Sequence, residues 1–203
     1  MEHALLDPPG LLAAGGDLRP ERLLAAYRRG IFPWYSHDQP ILWWSPDPRA
    51  VLFPEELRVS RSLRRSARNR GFVTRINSDF AGVMAACGDP LLRPEGTWIT
   101  REMRQAYLQL HRLGHAHSVE IWLDEQLVGG LYGVQLGSVF FGESMFSRVS
   151  DASKVALLGL CQQPFARPVR LIDCQMTTDH LLSLGVRSIE RREFQALLHQ
   201  YLD

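Results

Sequence analysis

The chain has 203 residues, of which 45% are hydrophobic, a formal net charge of +1 and three widely spaced cysteines. A hydrophobic content of 45% is enough for a packed core. We expect neither a membrane span nor a signal peptide, because no apolar run of about 18 residues and no basic leader segment is present. An odd number of cysteines without metal-clip spacing is typical of a reducing compartment, so we expect a cytoplasmic protein.

The first fifty residues are rich in glycine and proline around one short predicted helix. Pro20 suits the first helical turn, an apolar stripe follows it, and Gly30 ends the helix. We expect a small N-terminal domain over residues 1–50 and a larger domain over residues 51–203.

Beyond this segment, helices are predicted at residues 60–69 and at 101–113, where Thr100 is the expected N-cap. The alternating segments "HSVEIWL", "QLVGGLYGVQLG" and "SVFFGESMFS" then predict an antiparallel three-strand meander. The chain ends with a helix at about 152–162, the strand "VRLIDCQ", the helix "TTDHLLSLG" and an amphipathic stretch. This order predicts an α+β protein with a mixed, largely antiparallel sheet and flanking helices, and it resembles the GNAT-like acyltransferase fold.

Positive charge is concentrated in one segment, since seven arginines and no acid lie between Leu57 and Ser78. A helix would gather four of them on one face at spacings i, i+3, i+4 and i+7. These are Arg61, Arg64, Arg65 and Arg68. A phosphate backbone is one natural counter-surface for such a face, and a merely solvated surface is the alternative.

The segment "LIDCQ" places an acid and an amide in an apolar setting. On a strand, Asp173 and Gln175 share one face and Cys174 takes the other. Burying an unpaired amide costs about 2–7 kcal/mol, so these side chains need partners. A structural hydrogen-bonded pair and a functional pair are both compatible with the pattern.

The segment "FFGESMF" places Glu143 in an apolar row of a predicted strand. Buried acids are rarely unpaired. Glu143 either meets an arginine of the fold or is kept for a cationic substrate. Gly142 permits a β-bulge that would re-aim the carboxylate.

Other kinds of site have little support. His111, His115 and His117 are close in sequence but lack metal-ligand spacing, so we expect no metal. No nucleophile motif and no coenzyme A-binding Gln/Arg-x-x-Gly-x-Gly/Ala loop is present, so we expect no cofactor. His180 is a candidate base, and a place on a helix face is the favoured explanation for it.

The chain resembles one family closely, the leucyl/phenylalanyl-tRNA–protein transferases. The matching strings include "GLLAAGGDLRPERLLAAYRRGIFPWYS", "PILWWSPDPRAVLFPEEL", "GTWIT", "LVGGLYGV", "FFGESMFSR" and "LIDCQ", and the resemblance runs from about Gly10 to Gly185. Arg58 stands where the family usually has histidine, and the chain stops at Asp203 while some members continue further.

The resemblance implies transfer of Leu, Phe or Met from aminoacyl-tRNA to proteins that begin with Arg or Lys, which marks them for N-degron degradation, without coenzyme A. It implies a small N-terminal domain, a GNAT-like catalytic domain, and no membrane partner. It also implies that Asp173 and Gln175 form the catalytic pair and that Glu143 belongs to the same site. In this interpretation Gln175 orients the attacking amine, and the proton leaves through Asp173, water or the tRNA ribose.

The donor side chain requires an apolar pocket that accepts Leu, Met and Phe and refuses β-branched residues. Our candidates are Leu131, Phe140 and Met145, although Phe140 and Met145 share a face only if a bulge lies between them. The resemblance also places four aromatic residues in or near the site: Tyr27, Trp34, Trp98 and Tyr107.

Trp43 and Trp44 precede "SPDPR", whose prolines exclude regular secondary structure. The two rings either stack on a base, which is worth about 1–3 kcal/mol per base, or join the small domain to the large one. Two rival functions also stay open: a non-catalytic tRNA-binding or degradation adaptor, and a coenzyme A-dependent N-acyltransferase.

Overall fold

The computed structural model describes residues 4, 5, 7–94, 96–162 and 167–202, which form a three-stranded and a seven-stranded sheet with helices. In chain order the elements are β1 (Leu11–Ala14), α1 (Pro20–Tyr27), β2 (Phe32–Pro33), β3 (Leu42–Trp44), β4 (Arg49–Leu52), α2 (Arg61–Asn69), β5 (Val73–Ile76), α3 (Phe80–Cys87), α4 (Arg101–Arg112), β6 (Ala116–Leu123), β7 (Gln126–Leu136), β8 (Val139–Ser147), α5 (Ala152–Gln162), β9 (Leu171–Gln175), α6 (Asp179–Ser183), β10 (Arg187–Ile189) and α7 (Arg191–Tyr201). Among the helices described, none is both long enough and apolar enough to cross a bilayer.

The large sheet has the order β10–β4–β9–β8–β7–β6–β5, and the small sheet has the order β1–β3–β2. Every neighbouring pair of the large sheet is antiparallel except β8 and β9, which are parallel and joined through α5. The predicted fold class and the β6–β7–β8 meander are therefore confirmed. Asp124 and Glu125 form the tight turn between β6 and β7 with φ of 48° and 58°, as a two-residue hairpin requires.

Helix α4 begins at its expected cap, and the helix predicted at residues 60–69 has Ser60 as its N-cap. Ser60 Oγ accepts the Leu63 N–H at 3.1 Å at the start of α2, and Thr100 Oγ1 accepts the Met103 N–H at 3.2 Å at the start of α4. Helix α3, which is apolar on most sides, was not predicted from the sequence. Strands β1 to β5 and β10, which are two to four residues long, were not predicted either.

Apolar residues pack on both faces of the large sheet. One core includes residues of α1, α3, α4 and α7, and the other includes residues of α2 and α5. The small sheet shares the first core, because Tyr27, Phe32 and Trp43 pack in it together with Tyr107 and Phe194. Strand β4 begins at Arg49 inside the large sheet, and the division at residue 50 into two domains stays a prediction.

Candidate active site

A pocket of about 520 Å³ opens where two strands of the large sheet separate. Strands β8 and β9 pair over Val139–Phe141 and Leu171–Asp173. The residues that follow this pairing on each strand, 142–145 and 174–176, line the pocket. The opening in the sheet therefore lies between the two segments that carry Glu143 and Gln175.

Glu143 reaches the pocket through a β-bulge. Tyr132 is paired with Ser144 and Gly133 with Gly142, so Glu143 is the extra residue of β8. The bulge that Gly142 permits is therefore present, and Glu143 is its extra residue. A Cβ at Gly133 would overlap the carbonyl oxygen of Phe141 on the facing strand, so this glycine permits the close approach of the two backbones.

The bulge also explains the apolar side of the pocket. Phe140 and Met145 both line it although they lie on opposite strand parity, and Leu131, which is paired with Met145, joins them. Leu157 and Leu160 of α5, which were not among the predicted pocket residues, complete this side. The structure thus brings the three predicted donor-pocket residues together.

The Glu143 carboxylate is partly buried and hydrogen-bonded from below. Tyr27 Oη donates to Oε1 at 2.6 Å and Tyr107 Oη donates to Oε2 at 3.0 Å, and the two hydroxyls also contact each other. Burial raises the pKa of Glu143 to about 7, the tyrosine hydroxyls oppose this rise, and the Asp173 charge adds to it while Arg49 reduces it. The sequence predicts either an arginine of the fold or a cationic substrate as the partner of Glu143. No arginine of the described residues forms an ion pair with Glu143.

Asp173 lies behind the pocket in a fully buried ion pair. Arg49 Nε donates to Oδ1 and Nη2 donates to Oδ2, each at 2.7 Å, and neither side chain is more than 1% exposed. A two-point pair of this kind satisfies the charge of both partners. Asp173 is therefore not in the pocket wall, and its carboxylate supports Gln175, which is in the wall.

Gln175 lines the pocket and is hydrogen-bonded to Asp173. Its backbone N–H donates to Asp173 Oδ1 at 3.0 Å, and its Nε2 lies 3.5 Å from Asp173 Oδ2. Its φ of 58° departs from the extended conformation of the strand. Cys174 and Gln175 both line the pocket, which residues from both faces of the sheet surround. The contact between Gln175 and Asp173 agrees with the prediction that these two side chains share one face.

The four predicted aromatic residues occupy two levels. Trp34 and Trp98 line the pocket, and Trp34 is 39% exposed. Tyr27 and Tyr107 are completely buried beneath Glu143, where they cannot stack on a base. Burial raises the pKa of both tyrosines, so they remain neutral hydrogen-bond donors.

Trp43 and Trp44 lie outside the pocket. Trp43 packs in the core shared by the small and large sheets, and its Nε1 donates to the Gly15 carbonyl oxygen at 2.9 Å. Trp44 Nε1 donates to the Trp34 carbonyl oxygen at 2.6 Å, and the rings of Trp44 and Trp34 contact edge to face. This placement favours the joining role, with Trp44 also supporting the ring of Trp34.

The arginine face of α2 is separate from the pocket. Its four predicted arginines are all exposed, and none takes part in an ion pair within the described residues. Leu63 and Ala67 lie on the opposite side of the helix and pack on the second core. The structure therefore leaves this face available to a negatively charged partner.

The remaining reactive groups near the pocket do not form a nucleophilic site. Burial raises the pKa of the Cys87 thiol to about 12 and the pKa of Cys174 still further, so both stay protonated. His180 lines the pocket, and desolvation followed by the charge of Lys154 lowers its pKa. No cluster of three metal-ligating side chains occurs among the described residues.

Arg49 was not among the site residues predicted from the sequence. A usable signal was present, because "RAVLF" puts an arginine directly before an apolar run, and "LIDCQ" contains an acid that needs a partner. The two segments lie on neighbouring strands, with Val51 opposite Asp173. Pairing the two charges required knowledge of that register.

Comparisons with known proteins agree over nearly the whole chain. The model for the family described as "Leucyl/phenylalanyl-tRNA protein transferase" matches residues 51–199, and the model for the N-terminal domain of that family matches residues 16–47. Three relatives carry the name leucyl/phenylalanyl-tRNA–protein transferase. The relative from Aromatoleum aromaticum is 63% identical over 97% of this chain and 83% of its own length. The relative from Azoarcus sp. is 62% identical over 99% and 86%, and that from Pseudomonas aeruginosa is 57% identical over 100% and 90%.

Proposed function

This chain belongs to the leucyl/phenylalanyl-tRNA–protein transferase family and is a transferase, and we propose that it moves Leu, Phe or Met from aminoacyl-tRNA to the α-amino group of proteins that begin with Arg or Lys. The product would be marked for N-degron degradation in the cytoplasm. The observation that carries the proposal is one pocket whose wall combines Glu143 and Gln175 with an apolar recess.

The reaction is the aminolysis of an ester. The nitrogen of the acceptor's α-amine attacks the ester carbonyl carbon, a C–N bond forms, and the C–O bond to the ribose breaks. The ester is already activated, so holding both substrates in register supplies much of the acceleration, since effective molarities reach about 10⁵ M or more.

Gln175 orients the attacking amine in this proposal. Its Nε2 lies toward Asp173 Oδ2, which leaves Oε1 as the acceptor for an N–H of the amine. An amide is too weak a base to keep the proton. Asp173 is a poor final acceptor as well, because it is fully buried behind the pocket wall and its charge is paired with the Arg49 guanidinium.

Glu143 is the better proton acceptor. Its pKa of about 7 is close to the range of roughly 7.7–8.0 that is usual for an α-amino group, so proton transfer between them is nearly balanced. The same carboxylate, when ionised, attracts the positive charge of an acceptor that begins with Arg or Lys. The proton then passes to the leaving ribose oxygen.

The two other parts of the donor have separate candidate surfaces. The recess formed by Leu131, Phe140 and Met145 holds the unbranched or γ-branched side chain. Trp34 and Trp98 offer faces for the terminal adenine, and the arginine face of α2 offers counter-charges for the tRNA backbone.

A direct test incubates radiolabelled Leu-tRNA with a peptide that begins with Arg, in the absence of coenzyme A. We expect labelled peptide with Leu-, Phe- and Met-tRNA. A peptide that begins with Ala and a Val-tRNA donor serve as matched negative controls. Tight binding of tRNA without transfer would support an adaptor, and transfer only with an acyl-coenzyme A would support an N-acyltransferase.

A further inference from the structure

Arg49 is the largest fully buried side chain among the described residues, and the reaction proposed above makes no direct use of it. Its guanidinium lies over the rings of Phe32 and Phe194, with Cζ 4.8 and 4.7 Å from the two centroids. Two faces of aromatic carbon fix the plane of the group, and the two hydrogen bonds to Asp173 fix its rotation in that plane.

The partner of this guanidinium acts on the backbone of Gln175. The left-handed φ of 58° is rarely adopted by residues other than glycine, asparagine and aspartate. The hydrogen bond from the Gln175 N–H to Asp173 Oδ1 accompanies this conformation, and that same oxygen also accepts Arg49 Nε. The orientation of the Asp173 carboxylate thus links the guanidinium to the backbone of the pocket residue.

We propose that Arg49 is a positioning residue for the transfer step, because its planar two-point contact holds Asp173 in the one orientation that places the Gln175 amide against the attacking amine. This role rests on the proposed function, in which Gln175 orients that amine. Positive charge alone is insufficient. A lysine ammonium would neutralise Asp173 but would not hold both oxygens in one plane.

The C-terminal helix helps to place Arg49. Arg191, the first residue of α7, donates its backbone N–H to Asp47 Oδ1 at 3.0 Å and its Nη1 to the Ser45 carbonyl oxygen at 2.8 Å. These contacts hold the loop that precedes Arg49, and α7 also supplies Phe194. A change at Arg191 should therefore disturb Gln175 in the same way, although more weakly.

The test is a double-mutant cycle measured with labelled Leu-tRNA and a peptide that begins with Arg. Arg49→Lys should lower kcat roughly 10- to 100-fold, with the KM of both substrates within about twofold of the parent values. In a Gln175→Ala background, where no amide remains to be positioned, adding Arg49→Lys should lower kcat less than about twofold further. Arg187→Lys is the matched control, because Arg187 also lies over an aromatic ring and is ion-paired, yet it is exposed and outside the pocket.

Several results would overturn the role of Arg49. Normal kcat in Arg49→Lys, the same fold-loss in both backgrounds, or a loss confined to KM would each do so. If Arg49→Lys does not fold, as judged by its melting curve, Arg191→Ala decides in its place. A loss of roughly threefold in the parent and none in Gln175→Ala supports the role, and any other pattern contradicts it. An inactive parent protein would instead refute the proposed function, and the role of Arg49 with it.

Discussion

Replacing Tyr27 by phenylalanine removes one of the two hydroxyls that donate to Glu143, and it should shift the pH dependence of transfer. The lost hydrogen bond favours the ionised carboxylate, so its removal favours the neutral form and raises the pKa of Glu143 further above 7. The active form is the carboxylate. The acidic limb of the rate profile should therefore move to higher pH.

The expected size of the shift follows from the strength of the bond. A hydrogen bond to a charged group contributes about 1.5–3 kcal/mol, and about 1.4 kcal/mol corresponds to one pH unit, which gives roughly one to two units. Tyr107 remains and can compensate in part, so we expect the lower end, about one unit. At pH 7 the ionised fraction should fall from about one half to about one tenth, with a roughly fivefold slower rate, while near pH 9 the two rates should converge.

The assay is the rate of leucine transfer between pH 6 and 9 with saturating Leu-tRNA and a peptide that begins with Arg. The acceptor's own amine titrates identically with every variant, so only the difference between variants is informative. Tyr35→Phe is the matched control, since its hydroxyl contacts Thr100 at 3.5 Å, away from Glu143. Coincident limbs for Tyr27→Phe and the parent, or a shift to lower pH, would refute the reasoning.

Three other expectations can be checked in parallel. Glu143→Gln should slow transfer but raise the free energy of unfolding at pH 8 by up to about 3 kcal/mol. The pKa of Glu143 in the folded protein is about 7 and exceeds the usual 4.5, so the parent protein loses stability as the pH rises between these values, and the neutral glutamine does not. Denaturant curves at pH 8 and 4.5 should show the gain only at pH 8. Asp173→Asn should lower kcat far more than tRNA affinity and should lower the free energy of unfolding by about 3–5 kcal/mol, because a buried guanidinium loses its counter-charge; kinetics with near-normal turnover would contradict this. Changing Arg64, Arg65 and Arg68 together to Gln should flatten the slope of log K against log salt for tRNA by roughly 2–3 without lowering the melting temperature by many degrees, and an unchanged slope would exclude phosphate contacts.

The elements that were predictable from the sequence carry their signals locally. Helix α4 has a cap, a periodic apolar stripe and a terminal glycine, and the meander alternates with a period of two, so neither depends on distant parts of the chain. The bulge at Glu143 was predictable as well, because the adjacent Gly142 permits it. The short strands escaped notice because two to four residues are too few to show a period.

The polar part of the site was predictable only in part, because its residues contact partners that are distant in the sequence. Asp173 and Glu143 are acids in apolar segments, which indicates that both need partners. The identity of those partners depends on tertiary packing. Nothing local to Tyr27 indicates that its hydroxyl will lie beneath a strand from the middle of the chain. That Asp173 lies behind the pocket wall could not be predicted, because it depends on the register of β4, which places Arg49 beside it.

The hydrogen-bonded partners of the site are far apart in the sequence, and this separation determines when the site forms during folding. The pair of Arg49 and Asp173 closes a loop of 124 residues, and the contact between Tyr27 and Glu143 closes one of 116. Contacts this remote form late, because the chain must lose the entropy of the whole loop before they contribute, and such topologies fold slowly. A ribosome-bound chain that ends before β9 contains Glu143 and the apolar recess but lacks Gln175. In the proposed reaction, transfer therefore begins only after β9 has been made and has paired with β4 and β8.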